Sequence, residues 1–149
     1  MDQTDIKILS ELQLDSRMSI RELAKRINLS APSVAERVRK LEDQGIIEGY
    51  TIKVNRKKMG FPIECFVMLT MKNGEYERFS RFIASYPDSE FCYRIAGDAC
   101  FIVKLSARSM EQIEAFINTV TPFAATKTQF VFSQVDVDNS VMKAVSELE

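Results

Sequence analysis

Two helices joined by a tight turn are predicted by residues 19–45, which read SIRELAKRINLSAPSVAERVRKLEDQG. The first begins with an S-x-x-E capping box, in which Ser19 and Glu22 each satisfy a backbone amide that the helix start leaves free. The second begins at Ser30, another residue type that caps helices, and Gly45 ends it. Apolar residues recur at helical spacing in both segments. The stretch therefore predicts a helix-turn-helix.

A further helix precedes this stretch and an extended segment follows it. Asp2 is the expected N-cap of the preceding helix, which ends near Asp15. Its apolar side consists of Ile6, Ile8, Leu9 and Leu12. The residues from Ile46 to Val54 read as a small β element broken by Gly49, which could act as a wing or as an arm to a second domain. Residues 1–60 are thus predicted to form a winged-helix-like domain.

The periodicity changes near residues 57–62, which sets the predicted boundary between a domain of residues 1–60 and one of residues 61–149. Beyond it, strand and helix patterns follow in the order β, α, β, β, α, β. The predicted elements are a strand from Ile63 to Met71, a helix through Tyr76–Ile83, strands through Phe91–Ile95 and Phe101–Leu105, a helix that Ser109 can cap, and a strand from about Thr126 to Val135. This order is typical of an α+β, ferredoxin-like fold.

Both sides of the first predicted strand are apolar. Val67 and Leu69 alternate with Phe66 and Met68, although the helices of a ferredoxin-like motif cover only one face of the sheet. A monomer would leave the other face as an exposed patch, whereas pairing of two sheets would bury both. The sequence therefore predicts a dimer at least.

The composition is that of a globular protein, with 46% hydrophobic and 28% charged residues over 149 positions. No run of 18 or more apolar residues and no secretory-signal layout is present, so the expected location is the cytoplasm. The net charge is −1, yet residues 1–60 carry 12 Lys and Arg against 9 Asp and Glu. This excess makes the N-terminal half the candidate for binding a polyanion.

Metal and catalytic chemistry find little support in the sequence. There is no histidine, and Cys65, Cys92 and Cys100 show no CxxC spacing, so neither a disulfide framework nor a zinc site is expected. The cysteines are expected to be small buried hydrophobes. No nucleophile stands beside a candidate base, and no GxGxxG occurs. We therefore expect no enzyme, no metal and no cofactor.

The second helix of the helix-turn-helix is the expected reader of duplex DNA, because in this motif it enters the major groove. Arg37 can donate two hydrogen bonds to one guanine, and Glu36 can accept a hydrogen bond from the amino group of cytosine. The candidates for base edges are Ala31, Pro32, Ser33, Glu36 and Arg37. The candidates for phosphates are Ser19, Arg21, Lys25, Arg39 and Lys40, and Ser30 at the helix start completes the set. On pattern alone, a structural three-helix bundle with a solvated cationic face explains these residues equally well.

Ordered motifs run through essentially the whole chain. They are the run from Leu9 to Leu12, Asp15-Ser16-Arg17, Ser19-Ile20-Arg21-Glu22-Leu23-Ala24, Leu29-Ser30-x-x-Ser33-Val34-x-x-Arg37-Val38-x-x-Leu41-Glu42, Gly45-Ile46-Ile47-x-Gly49-Tyr50, and Ile95-Ala96-Gly97-Asp98. These motifs resemble the Lrp/AsnC (leucine-responsive, feast/famine) regulators. The resemblance implies a sequence-specific, nucleoid-associated transcriptional regulator. It also implies dimers built through the ferredoxin-like domains, and octamers or larger rings that wrap DNA.

The same resemblance implies a small-molecule site. Many relatives bind small amino acids at the loop after the glycine, in a cleft between dimers, where the loop continues through an aromatic residue and an aspartate. Ala99 and Cys100 stand at those positions, so a carboxylate is missing. The candidate effector residues are Ala96, Gly97, Asp98, Ala99 and Cys100. The alternative is that Gly97 and Asp98 form only a tight turn, with amino-acid sensing altered or lost.

An architectural role is the other interpretation of DNA binding. In that case an oligomer bends or wraps DNA with little sequence preference. Specific binding survives excess random competitor at physiological salt, whereas architectural binding follows salt and duplex length with a small specificity ratio.

Overall fold

Three helices make up the first unit of the computed structural model, which describes residues 1–137. They are α1 (Gln3–Leu14), α2 (Ile20–Ile27) and α3 (Ala31–Asp43). Asp2 caps α1 and Asp15 follows its last turn, as predicted. Residues 1–53 belong to this unit and residues 54–134 form a second one. Residues 138–149 of the predicted second domain lie outside the described residues.

The capping of the helices differs in one respect from the prediction. The Ser19 hydroxyl accepts a hydrogen bond from the Glu22 amide at 3.2 Å, but the Glu22 carboxylate turns to Arg26 at 3.5 Å instead of returning to the Ser19 amide. The reciprocal box forms at α1, where Asp2 and Asp5 each accept from the other's backbone amide at 2.9 Å. Glu22 instead pairs with an arginine one helical turn away, an arrangement that stabilises α2 from within.

The turn between α2 and α3 depends on one left-handed residue. Asn28 has φ 56° and ψ 46°, and its amide donates to the carbonyls of Ala24 and Lys25. The Leu29 amide then donates to the Ala24 carbonyl at 3.0 Å, and the Ser30 hydroxyl caps α3 by accepting from the Ser33 amide. Asparagine tolerates this conformation better than most residues, which is why the chain can reverse within two positions.

The core of the first unit is built from the apolar arcs of the three helices. Val34, Val38 and Leu41 of α3 are buried, as their spacing predicted. They pack against Ile8 of α1 and against Leu23 and Ala24 of α2. Burial of these side chains holds the polar side of α3 outward, which is the arrangement that a groove-binding helix requires.

The predicted β element over residues 46–54 is wrong. Gly45, at φ +67°, ends α3, but no residue from Ile46 to Val54 pairs as a strand within the described part of the chain. Ile52 is 78% exposed, and the Tyr50 hydroxyl donates to the Glu42 carboxylate at 2.9 Å. A single extended segment lacks the ladder hydrogen bonds that stabilise a strand, and no strand within residues 1–137 supplies them.

The second unit has the predicted ferredoxin-like order. Its elements are a 3-10 helix (Lys57–Met59), β1 (Ile63–Met71), α4 (Tyr76–Ala84), β2 (Ser89–Arg94), β3 (Phe101–Ala107), α5 (Met110–Val120) and β4 (Ala124–Phe130). The strands form one antiparallel sheet in the order β2-β3-β1-β4. β4 begins two residues before the predicted start and ends at Phe130, well before Val135, where its pairing with β1 ends at Cys65.

The core of this unit lies between the sheet and the two helices. Cys65, Val67 and Leu69 of β1 are buried, and they pack with Phe79 of α4 and Phe116 of α5. Phe66 and Met68, which alternate with them, are only half-buried. The sheet thus has one covered face and one open face, as the alternation of apolar residues predicted. Ser109 occupies the N-cap of α5 but makes no side-chain capping bond, contrary to expectation.

Candidate nucleic-acid interface and effector loop

The outer side of α3 presents most of the residues predicted to meet DNA. Pro32, Glu36, Arg39 and Lys40 are exposed, whereas Ala31, Ser33 and Arg37 are half-buried at the edges of that side. Ser19, Arg21, Lys25 and Ser30 are also exposed. The packing of the apolar arc keeps the charged side chains out of the core, whereas Ala31 packs against its edge.

A shallow cleft runs across the turn of the helix-turn-helix. It has a volume of about 770 Å³ and is lined by Arg21, Ala24, Lys25, Asn28, Leu29, Ser30 and Ala31. Two predicted phosphate contacts of α2 therefore lie beside the first residues of α3. The free amides of a helix start and two nearby cations form a surface that favours an anion.

Arg37 makes contacts that the sequence did not reveal. Its Nη1 atom lies 2.7 Å from Oδ2 of Asp2 and 2.8 Å from Oδ1 of Asp5. The Asp5 amide and then Arg37 lower the pKa of the Asp2 carboxyl, and the two carboxylates raise the pKa of Arg37. Both partners lie more than 30 residues from Arg37 in the sequence, so no local motif indicates the contact.

The loop between β2 and β3 separates the five candidate effector residues into two groups. Ala96, Gly97 and Asp98 are exposed, whereas Ala99 is buried and Cys100 is half-buried. Gly97 has φ +133°, a conformation that strongly favours glycine. The loop is fixed to β1, because the Thr70 hydroxyl donates to the Asp98 carbonyl and the Cys100 amide donates to the Leu69 carbonyl.

The Cys100 thiol lies in a polar cluster. Its Sγ is 3.3 Å from the Tyr76 hydroxyl and 3.5 Å from the backbone nitrogen of Met71, and the Arg94 guanidinium stacks on the Tyr76 ring at 4.9 Å. The hydrogen bond between Tyr76 and Cys100 lowers the pKa of the Cys100 thiol, and the Met71 amide adds to this effect. Cys100 thus packs against the core, as expected of a small hydrophobe, but it is only half-buried and its thiol contacts polar groups, which the sequence did not indicate.

The other two cysteines are closer to the expectation. Cys65 is fully buried, and burial raises the pKa of its thiol to about 11. Cys92 is half-buried on the covered face of the sheet, and burial raises its pKa as well. All three are free thiols.

A second cleft, of about 320 Å³, opens beside the Cys100 cluster. It is lined by Tyr76, Glu77, Ser80, Arg81, Arg94 and Phe101. These residues belong to α4, β2 and β3, so their proximity follows from the tertiary fold and could not be predicted from spacing. Arg81 and Arg94 make one side of this cleft suited to an anionic group.

The open face of the sheet carries an aromatic group that extends from β1 to the edge strand β2. The Phe91 ring lies 6.1 Å from Phe66 and 5.0 Å from Tyr93, measured between ring centroids. Tyr93 is 61% exposed. Aromatic groups contribute large apolar area, so this face is costly to leave in water.

A charge cluster crosses the same face without leaving a charge unpaired. Lys104 Nζ lies 3.1 Å from Glu64 and 3.2 Å from Glu90, and Arg56 Nε lies 3.7 Å from Glu90. The Ser106 hydroxyl also donates to Glu90. Burial raises the pKa of Glu90, but the bonds from Ser106 and Lys104 outweigh this effect and leave the pKa below its ordinary value. Two cations and two carboxylates thus compensate one another.

A helix-turn-helix with an exposed second helix, joined to an αβ unit with an open sheet face, defines the class of helix-turn-helix DNA-binding proteins with an accessory domain. Residues 1–48 match the family described as "Winged helix-turn-helix DNA-binding", and residues 64–141 match "Lrp/AsnC ligand binding domain". The chain belongs to the Lrp/AsnC family of HTH-type transcriptional regulators.

The relatives agree with this assignment over nearly the whole length. The HTH-type transcriptional regulator LrpC of Bacillus subtilis is 52% identical over 139 residues, which span 93% of this chain and 96% of that protein. The solved structure of B. subtilis LrpC has a TM-score of 0.90 at 51% identity and covers 93% of this chain and 99% of that chain. Escherichia coli AsnC gives a TM-score of 0.84 at 25% identity, covering 95% and 98%.

The named relatives are transcriptional regulators. A regulator of Neisseria meningitidis solved as an L-Met complex shares the fold, with a TM-score of 0.87 at 23% identity over 94% of this chain and 95% of that one. None of the helices in residues 1–137 is long and apolar enough to cross a membrane.

Proposed function

We propose that this protein is a sequence-specific, DNA-binding regulator that acts as an oligomer of dimers and responds to a small molecule such as an amino acid. The observation that carries the proposal is the exposed, polar side of α3, held outward by the burial of Val34, Val38 and Leu41. Residues 1–60 form the DNA-binding part and residues 61–149 the part for self-association and sensing. The protein works at the nucleoid in the cytoplasm, and it is not an enzyme.

DNA recognition divides between base and phosphate contacts. Ala31, Pro32, Ser33, Glu36 and Arg37 meet base edges near the start of α3, where the groove admits the helix first. Ser19, Arg21, Lys25, Ser30, Arg39 and Lys40 contact phosphates and set the register. The exposure of the cations and the cleft across the α2–α3 turn support this division.

Dimers form when the open sheet faces of two copies meet. The aromatic group of Phe66, Phe91 and Tyr93 supplies apolar area for such an interface. Lys104 is already paired with Glu64 and Glu90, so burial of this part of the face does not leave the Lys104 charge uncompensated. Dimers then assemble into octamers or larger rings.

The effector binds at the loop of Ala96, Gly97, Asp98, Ala99 and Cys100. Exposure of the first three residues and the family match to a ligand-binding domain support this placement. The glycine exposes backbone amides that suit an amino-acid carboxylate. Since Ala99 is buried and the Cys100 thiol faces Tyr76, the ammonium group has to be accepted by Asp98 or by another copy.

A selection followed by a titration tests the proposal. Duplexes bound by the purified protein are selected from a randomised pool, and the selected duplex and a scrambled version of equal length are titrated at about 150 mM salt. The measurements are repeated with a pool of amino acids. Preference for the selected duplex that shifts with amino acids supports the whole proposal, and preference without a shift removes the sensing role. Equal binding to both duplexes indicates an architectural protein, and no binding to either contradicts the proposal.

A further inference from the structure

Arg37 is tied to α1 through a single guanidinium nitrogen. Nη1 makes both short contacts, to Asp2 and to Asp5. The Nε and Nη2 atoms take no part in them, and these two atoms form the edge of the guanidinium that can donate two parallel hydrogen bonds. The contact therefore fixes the side chain, and within residues 1–137 no hydrogen bond or ion pair occupies its bidentate edge.

The contact of Arg37 with Asp2 and Asp5 lies beside the residues proposed to read bases. Asp2, Asp5 and Arg37 line a cleft of about 410 Å³ together with Met1, Ser33, Glu36 and Lys40. The Arg37 side chain is 34% exposed and that of Asp5 is 15% exposed. The guanidinium is thus held at the border between the helical core and the outer side of α3.

The carboxylates near Arg37 are unfavourable for DNA binding. Asp2, Asp5 and Glu36 place three negative charges next to two cations where phosphates are proposed to approach, and like charges lower affinity for DNA. Capping of α1 does not require these charges, because asparagine and serine cap a helix about as well as aspartate. The Asp5 amide at the helix start stabilises the charge of Asp2, and Arg37, the partner that Asp2 and Asp5 share, stabilises it further.

We infer that Asp2 and Asp5 are positioning residues that hold Arg37 with its free edge toward the DNA bases, lowering the overall affinity for DNA and raising sequence discrimination. An arginine side chain loses much rotamer freedom when it binds, and the tie removes that freedom before DNA arrives. This inference rests on the DNA-binding function proposed above.

The test compares the wild-type protein with the double variant Asp2→Asn and Asp5→Asn. Both substitutions keep the shape and the capping ability while removing the charges. We expect the scrambled duplex to bind about twofold tighter or more, because two negative charges are gone. We expect the ratio of the dissociation constants for the scrambled and selected duplexes to decrease by at least about fivefold. The upper limit of this decrease is the loss of one whole bidentate base contact, which is roughly 5- to 150-fold.

Two controls separate positioning from stability. Glu11→Gln removes the Glu11–Arg26 ion pair, which joins α1 to α2 at 2.9 Å in the same unit without touching α3. This variant should leave the discrimination ratio unchanged. In an Arg37→Ala background, the double Asp→Asn change should cause no further fall in the ratio, since the residue that it positions is absent.

The outcomes distinguish this inference from the function on which it rests. If the wild-type protein discriminates and the double variant discriminates equally well, the inference is wrong and the function stands. A further fall in the Arg37→Ala background also overturns it. If the wild-type protein shows no preference, both are overturned. Should the double variant melt below the assay temperature, Asp2→Asn alone, at the more exposed carboxylate, supplies the same two measurements.

Discussion

The hydroxyl oxygen of Tyr76 lies 3.3 Å from Sγ of Cys100, so the first residue of α4 contacts the residue just before β3. The contact lowers the pKa of the Cys100 thiol, whereas burial raises the pKa of Cys65 to about 11. Two thiols of one small unit are therefore shifted in opposite directions by their surroundings. One is polarised by a hydrogen-bond donor, and the other is deprived of water.

Cys100 should be the most reactive thiol of the folded protein. At a pH below both pKa values, a larger fraction of Cys100 than of Cys65 is ionised, and the burial of Cys65 slows its reaction further. Alkylation followed by peptide mass spectrometry over a pH series measures each rate. Tyr76→Phe should move the Cys100 profile to higher pH, and the urea-unfolded protein should show similar rates at all three cysteines. An unchanged profile in Tyr76→Phe would mean that the hydroxyl does not donate to the thiol.

The turn of the helix-turn-helix should depend on Asn28 more than its exposure indicates. Asn28 has φ 56°, a conformation that glycine adopts without strain and alanine does not. Asn28→Gly should therefore change the free energy of unfolding by no more than about 0.5 kcal/mol, whereas Asn28→Ala should lower it by about 1 kcal/mol. Urea denaturation measures both. Gln44→Ala is the matched control, since Gln44 also follows the last turn of a helix but has φ −82° and should be close to neutral. Equal effects of the two alanine variants would contradict the role of the left-handed conformation.

Glu90 should make stability depend on pH in the acid range. Its pKa is lower in the folded protein than the ordinary value of 4.5, so the unfolded chain takes up the proton first as the pH falls. The ionised carboxylate therefore stabilises the fold above about pH 4.5, and this contribution is lost as the pH drops through the folded-state pKa. Glu90→Gln should lower the free energy of unfolding near neutral pH by about 1–2 kcal/mol and flatten its decrease in acid.

A surface pair provides the control for Glu90. Glu75 lies 3.9 Å from Arg78, and both side chains are more than a third exposed. Glu75→Gln should therefore change neither the stability near neutral pH nor its slope in acid, because exposed pairs are weak. If the Glu90 and Glu75 variants behaved alike in denaturation at several pH values, the half-buried charge cluster around Glu90 would not explain the pH dependence.

The helices and the order of the elements along the chain could be predicted because they depend on local signals. The capping residues Asp2 and Ser30 mark helix starts, and the spacing of Val34, Val38 and Leu41 marks the buried side of α3. The alternation of apolar residues in β1 likewise indicated a covered and an open face. Each of these signals involves neighbours within about one or two helical turns.

The predictions from sequence failed, or missed a contact, where a residue's structure depends on interaction partners that are distant in the sequence or absent from the described residues. The segment after Gly45 has a strand-like composition, but a strand needs a neighbour, and sequence alone does not supply one. Arg37 was assigned to base readout from its position on α3, while its contacts with Asp2 and Asp5 span more than 30 residues. The Cys100 environment likewise depends on Tyr76 from another element. Propensity and spacing carry no information about such pairs.

Two single variants should distinguish the proposed phosphate contact from the proposed base contact. Lys40→Ala should weaken binding to every duplex by a similar factor and reduce the slope of log affinity against log salt by about one, as expected for a phosphate contact. Arg37→Ala should instead reduce the preference for the selected duplex, by about 5- to 150-fold if one guanine contact is lost. Titrations of both duplexes at several salt concentrations, with variants shown to be folded by circular dichroism, provide the measurement. If both variants lost affinity uniformly on every duplex, the base-reading role of Arg37 would be wrong, and Arg37 would serve to join α1 to α3.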